Sequence, residues 1–570
     1  MDPITLDGVG FAFPGLQPLL RDVNLKVGEG EVVALVGPTG CGKSTLLHIC
    51  AGVIPHFITG ELTGEVHIFG TNTKETSLAR IAADIGTVTQ DPENQLFNLI
   101  VADEIAWGME NRGFERAEIR RGLDGALEFF RIPHLRDRIT YDLSGGEKQR
   151  VVLSANYAPA PRLFILDDPT SQLDPIGAQQ VLTGIQALAE SGHTILVVES
   201  KLEEIWSLVD RVLLLHNGTI ELDAPRAELD RHLDAFIEAN VPLPQLVELG
   251  ARLRERGVSV PALPPDPDGA AALLDGVRIK AVPAHEPAVP SGKPPRVVVD
   301  NISYTYPPPR RTEALKEIRL EVPAGAVLGV VGQNGSGKTT LARCLSGHLK
   351  PTSGAVRIDG KDVRRMSVRN RAATVGYVFQ NPDHQIFKDP VVEDVIYGPM
   401  NLGATRPEAT RTAERVLRAL DLWDVRDVHP FRLSKGGRQR LAIAAIAVMQ
   451  PPVMIIDEPT TGQDLQESHA IMSLLVDLAR EVGQTVIVIT HAMHLVAEHC
   501  DLMAALCEGR LIAFGPPDQV FRDEELLRRT YVKPPAVTAL GNRLGMEPRP
   551  LTLEDALERL AGPSLKVAEA

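Results

Sequence analysis

The sequence predicts an α/β protein made of two tandem copies of one fold, and three observations carry that prediction. A chain of 570 residues is too long for one hydrophobic core and calls for two to four domains. Four motifs recur in the same order in the second half. In each half the first of these motifs is a glycine-rich loop set between an apolar strand and a helix.

The repeat is specific. GPTGCGKST (37–45) returns as GQNGSGKTT (332–340), and QDPENQLF (90–97) as QNPDHQIF (380–387). LSGGEKQR (143–150) returns as LSKGGRQR (433–440), and LFILDDPTSQLD (163–174) as VMIIDEPTTGQD (453–464). From the second pair onward the offset is constant at 290 residues, which marks a domain duplication. The tails repeat too, VPLPQLVELGARL (241–253) against VKPPAVTALGNRL (532–544). The expected organisation is a first domain over 1–225 with a C-terminal extension over 226–262. A linker over 263–295 follows, then a second domain over 296–525 with its extension over 526–570. Pro, Ala and Asp dominate the linker, as in LPPDPDG and AVPAHEPAVPSGKPP, which suits an extended spacer; a Pro-rich binding motif is the alternative there.

The loop pattern G-x-x-x-x-G-K-[ST] binds nucleotide phosphates for a physical reason. Gly37, Gly40 and Gly42, like Gly332, Gly335 and Gly337, let backbone N–H groups turn toward phosphate oxygens. Helices starting near Lys43 and Lys338 add the positive end of their dipoles. Lys43 and Lys338 reach the outer phosphates of ATP, Ser44 and Thr339 can ligate Mg²⁺, and Thr45 and Thr340 complete the set. A lone match could be a plain glycine turn; two in register argue against that. Asp167 and Asp457 end the apolar strands Leu163–Leu166 and Val453–Ile456, where a carboxylate can hold the metal. An isolated Asp at a strand end is more often a cap, and its place in the repeat reverses that expectation.

With these motifs assembled, the chain resembles the ATP-binding-cassette family of P-loop NTPases over nearly its whole length. The resemblance implies two nucleotide-binding domains, each with a small helical subdomain, that pair within one chain. It implies that LSGGE is the signature, with Ser144, Gly145 and Gly146, and in the second half Ser434 and Gly436, binding the γ-phosphate of the opposing domain. It makes Gln90 and Gln380 Q-loop residues that sense Mg²⁺ and touch a transport partner. Phe13 and Tyr306 become adenine-stacking candidates, although Phe13 suits a core position equally. Asp174 and Asp464 match the D-loop, and His491, after the strand Thr485–Ile489, matches the switch histidine. The QDPENQLF and QNPDHQIF motifs and DVIYGPMNLG (394–403) are similar to the energy-coupling factor (ECF) group of vitamin and metal-ion importers. That group implies an integral membrane scaffold, a small substrate-capture membrane protein and a peripheral position on the cytoplasmic face of the membrane.

Three departures from the family pattern bear on one site. Asp168 stands where the catalytic glutamate is expected, with Glu458 as its counterpart, and Ser200 stands where the switch histidine is expected. Lys435 and Gly437 alter the second signature. The family's pairing rule assigns all three to the composite site of Lys43 and Asp167. The other site combines Lys338, Asp457, Glu458 and His491 with the intact signature. Asp is one methylene shorter than Glu, about 1.5 Å, and a misplacement near 1 Å can cost roughly a hundredfold in rate. The expectation is that the Glu458 site hydrolyses and the Asp168 site mainly holds ATP; the alternative is tolerated drift, since Asp can also act as a base.

Composition narrows the partners. With 59 basic against 74 acidic residues the net charge is −15, and no long Lys/Arg run offers a footing for nucleic acid. The five cysteines have neither zinc nor disulfide spacing, which suits reduced thiols. MDPITLDGVGFAF has no signal-peptide pattern, and the longest apolar stretch, Leu441–Met449, is far too short to span a bilayer. A tandem cassette acting on ribosomes is the competing expectation; its long charged linker and two intact sites are not seen here. A DNA-repair ATPase would call for zinc cysteines and a basic surface, and a fused sugar-importer ATPase remains a minor reading within transport.

Overall fold

The computed structural model describes residues 1–560 apart from 172, 174, 200, 278, 281–293, 309, 310 and 461–464. Asp174, Asp464, Ser200 and, within the expected linker, residues 278 and 281–293 therefore lie outside the described residues. The chain divides into two units, Met1–Ala251 and Arg252–Ala570.

The first unit is organised by a six-stranded sheet. Its order is Thr219–Pro225, Arg211–His216, Val32–Val36, Thr194–Val198, Leu163–Asp167 and Ile85–Val88. All neighbours are parallel except the edge hairpin of the first two strands. The central strand VVALV is buried throughout, because a parallel strand is covered on both faces. Val32, Ala34 and Val36 face a core shared with helices, while Val33 and Leu35 face a second core. That second core is closed by an antiparallel sheet of Leu20–Val27, Ile4–Ala12, Glu61–Ile68 and Thr71–Asn72. Each large apolar side chain buried this way contributes roughly 1.5–3 kcal/mol. Parallel pairing puts Val36, Asp167 and Val198 at one edge of the sheet, so the segments that follow them are neighbours.

A small helical subdomain is inserted between Ile85–Val88 and Leu163–Asp167. Its helices Val101–Asn111, Arg116–Phe129 and Gly145–Tyr157 pack on one another through Ile105, Met109, Leu123, Leu127 and Val152. The second unit repeats the plan, with sheet order Val375–Val378, Val453–Asp457, Thr485–Ile489, Val327–Val331, Leu502–Cys507 and Arg510–Gly515. Its helical subdomain is Val391–Leu402, Arg406–Ala419 and Lys435–Ala447. No helix among the described residues is long and apolar enough to cross a membrane. All five cysteines are free thiols.

The region between the cassettes differs from expectation. Phe236, Val241 and Leu243 join the core of the first cassette, so the start of its extension is part of that unit. Residues 263–274, expected as extended linker, instead contain a helix, Pro267–Leu273. Asp266 caps it by accepting from Gly269 N at 2.7 Å, Pro267 starts it, and Ala270 and Leu274 are buried. This helix packs on Ala536–Arg543 within the second unit, where Arg543 pairs with Asp268 at 2.6 Å. Arg252 and Arg256 of the same unit both reach Glu554 at 3.0 Å.

Candidate functional site

Both phosphate loops have the conformation their glycines allow. Gly42 and Gly337 have φ of 109° and 104°, a region closed to side chains, and each caps the helix that follows. A Cβ on Gly37 would lie 2.2 Å from the Leu215 carbonyl, and one on Gly332 equally close to that of Leu506. Only glycine lets the loop leave the central strand so near its neighbour. The helices Lys43–Cys50 and Lys338–Leu345 start at the expected lysines. Lys43 Nζ donates to the Gly37 and Pro38 carbonyls at 2.7 and 2.8 Å. Lys338 Nζ does the same to Gly332 and Gln333 at 2.7 and 2.9 Å. Each ammonium is therefore held at its own loop, where phosphate oxygens can replace the carbonyls.

Of the expected metal-binding residues, the hydroxyl and the strand-end carboxylate come together in each half. Thr339 Oγ1 donates to Asp457 Oδ2 at 3.2 Å, and Tyr377 OH donates to the same oxygen at 3.1 Å. Burial pushes the Asp457 carboxyl up, opposed by these two hydroxyls and by Lys338. In the first half, burial also pushes Asp167 up, opposed by a bond from Ser44 and reinforced by neighbouring Asp168. A hydroxyl beside a carboxylate, buried at Asp457 and half-buried at Asp167, is the donor set of a hard divalent cation, so both pairs fit Mg²⁺. Held there, Mg²⁺ would neutralise phosphate charge. Gln90 and Gln380 lie exposed just beyond Ile85–Val88 and Val375–Val378.

The two acid positions share a backbone and differ in surroundings. Asp168 and Glu458 have φ of 50° and 51°, and their amides donate to Val198 and Ile489 carbonyls, both at 2.9 Å. Glu458 Oε1 lies 3.2 Å from His491 Nε2, the acid and switch residue predicted from sequence. Asp168 has other neighbours. Gln90 Nε2 donates to it at 3.4 Å, and a hydrogen bond joins it to the buried Glu199. Thr170 Oγ1 donates to Glu199 Oε2 at 2.7 Å. The corresponding position in the second half is Thr490.

Glu199 was not legible as a site residue. Burial and the Asp168 charge hold its carboxyl well above the ordinary 4.5. The folded state therefore keeps a proton that the unfolded state releases near pH 4.5, and stability is lost as pH rises through the folded value. Glu199→Gln removes that loss. Its melting temperature relative to the unmodified chain is expected to climb between pH 5 and pH 8, by calorimetry in matched buffers. A difference constant over that range would mean that Glu199 is charged in the fold.

The signatures begin helices in different ways. Ser144 Oγ accepts from Glu147 N at 3.4 Å while Glu147 Oε2 accepts from Ser144 N at 2.8 Å, a full capping box. Ser434 Oγ accepts from Gly437 N at 3.1 Å, and Gly437 has no side chain to return the bond. Of the adenine candidates, Tyr306 OH lies 3.1 Å from Thr340 Oγ1, on the phosphate-loop helix. Phe13 packs edge-on against Phe11 at 5.0 Å and against the core, which leaves both of its expected roles in place.

A second set of residues escaped sequence reasoning. Lys148 on the signature helix pairs with Glu93 of the QDPEN segment, and Arg438 pairs with Asp383 at 2.6 Å in the other half. Glu104 accepts from the Phe97 and Asn98 amides, and Asp394 from those of Phe387 and Lys388. These bonds hold Phe97 and Phe387 outward, against Trp107 at 5.2 Å and Tyr397 at 5.1 Å. Each of these residues has its partner 290 positions on, and that offset is the signal that could have found them.

Phosphate loop, strand-end carboxylate beside a hydroxyl, and adjoining acid, present twice, define a duplicated P-loop ATPase. A family model described as ABC transporter matches residues 20–171 and 315–461. A "Putative ABC transporter ATP-binding protein" of Methanosarcina acetivorans is 36% identical over 555 residues, covering 94% of this chain and 90% of its own. A relative of the same description from Caldanaerobacter subterraneus is 36% identical over 546 residues, covering 92% and 93%. Among solved structures, cbiO1 from Clostridium perfringens, described as part of the ABC transporter complex cbiONQ, is 35% identical. It covers 41% of this chain and 94% of that one, with a TM-score of 0.38. The chain belongs to the ABC transporter family and is an ATP-binding component with two ATPase cassettes.

Proposed function

We propose that the chain is the energy-coupling subunit of an ECF-type importer for a vitamin or metal ion, acting at the cytoplasmic face of the membrane. The observation that carries this reading is the outward aromatic pair at the end of each QDPENQLF-type motif. Phe97 is 66% exposed and Phe387 65%, each beside a half-exposed aromatic ring. Paired apolar groups held outward by buried carboxylates fit a docking surface for membrane-protein helices better than they fit solvent. The ion pairs Glu93–Lys148 and Asp383–Arg438 tie these segments to the signature helices. A change at the nucleotide can thus reach the docking surface through side chains in contact.

In this reading ATP binding closes the cassettes and hydrolysis lets them part. Glu458 orients and deprotonates the attacking water and His491 positions it, while the site built on Lys43 and Asp168 mainly holds ATP. Mild solubilisation of the native host's membranes and capture of the tagged chain tests the assignment. The expected result is co-purification of a polytopic scaffold and a small membrane protein, the latter pointing to the substrate. Recovery with ribosomal subunits instead would overturn the transport reading and leave the ATPase intact.

A further inference from the structure

Two helices of the second unit, Leu465–Glu481 and Met493–His499, converge on a cluster that the ATPase chemistry does not use. His469 Nδ1 lies 3.1 Å from His499 Nε2 and 3.4 Å from Glu498 Oε1. His499 Nε2 lies 3.6 Å from the same Glu498 oxygen. His494 stands beside them, its ring centroid 6.0 Å from that of His469. The corresponding first-half positions are Gln179, Ser207, Leu208 and Glu203, so the cluster is not a requirement of the cassette scaffold.

We infer that His469, Glu498 and His499 form a binding site for a borderline divalent transition-metal ion, with Zn²⁺ the representative. The argument is geometric. Metal–ligand bonds of about 2.0–2.1 Å in a tetrahedron place neighbouring donor atoms about 3.3–3.4 Å apart. The three donor atoms here form a triangle with sides of 3.1, 3.4 and 3.6 Å, so one face of that tetrahedron is already built. Two imidazole nitrogens and one carboxylate oxygen suit Zn²⁺, Ni²⁺ or Co²⁺ and do not suit Mg²⁺, which takes oxygen ligands. The side chains are partly open to solvent, at 30%, 41% and 10% for His469, Glu498 and His499, which gives an ion a way in. Water completes the fourth position. The helix Met493–His499 begins two residues after His491, so the bound ion would fasten the segment that follows the switch histidine to the helix that follows the second D-loop.

The test uses the full chain with excess Mg²⁺ and measures Zn²⁺ uptake by competition with a chromophoric chelator. Co²⁺ serves as a spectroscopic probe of coordination. The expected result is one Zn²⁺ per chain and an intense visible Co²⁺ spectrum of tetrahedral type. His469→Gln is expected to weaken Zn²⁺ binding by at least about a hundredfold, since loss of a second-shell partner alone costs roughly 10–100-fold. Glu498→Gln keeps both imidazoles and serves as the second variant if His469→Gln does not fold. Cys507→Ser controls for thiol binding and is expected to change nothing. Uptake unaltered in both ligand variants, or lost in Cys507→Ser, would show an adventitious ion only and overturn the assignment. Absence of uptake at micromolar Zn²⁺ would overturn it as well.

Discussion

Glu458→Gln is expected to lower the ATP turnover of the purified chain by about 10²–10⁴-fold, the range general-base catalysis contributes. Asp168→Asn is expected to lower it no more than a few-fold. The two acids start from matching backbones, with φ of 51° and 50°. The contrast therefore lies in reach and company. Glu458 ends 3.2 Å from His491, a partner able to fix a water and the γ-phosphate together. Asp168 is about one bond shorter, roughly 1.5 Å, and is drawn toward Gln90 and the buried Glu199. Phosphate release at saturating ATP and Mg²⁺ measures both variants, and retained nucleotide per chain separates lost chemistry from lost binding. Equal losses in the two variants would sink the functional asymmetry.

The parts of this molecule that were legible in the sequence are those set by short-range rules. The strand Thr485–Ile489 has the bounds expected of it, because a parallel strand covered on both faces is a nearly unbroken apolar run. The phosphate-loop helices start at Lys43 and Lys338 because Gly42 and Gly337 permit the turn before them. The helix Pro267–Leu273 was missed although its signal was present, an Asp cap followed by Pro at the first helical position. Proline-rich composition over the wider segment outweighed that local pattern. Glu199, Tyr377 and the Lys148–Glu93 pair were out of reach for another reason. Glu93 and Lys148 are 55 residues apart, and only the packing of the signature helix on the segment after Gln90 makes them partners. Tyr377 reads as one more apolar strand residue until the neighbouring strand carries Asp457 alongside it.

The second large effect concerns docking. Phe97→Ser combined with Phe387→Ser is expected to cut recovery of the chain with the membrane partners proposed above by more than about tenfold. Burying a phenylalanine side chain is worth roughly 1.5–3 kcal/mol, and two such losses sum to several. Neither change opens a cavity, because both rings are about two-thirds exposed and their backbone amides remain bound by Glu104 and Asp394. Basal ATPase activity and melting temperature of the isolated chain are therefore expected to hold. Phe57→Ser, at a ring 83% exposed and outside these motifs in the sequence, provides the control for a general loss of surface apolarity. Quantitative recovery of tagged variants from solubilised membranes makes the comparison. Unchanged recovery of the double variant would mean that the aromatic pairs face something other than the membrane subunits, and the motif-based importer reading would lose its structural support. A selective loss would locate coupling at the segments that Glu93 and Asp383 fasten to the signature helices.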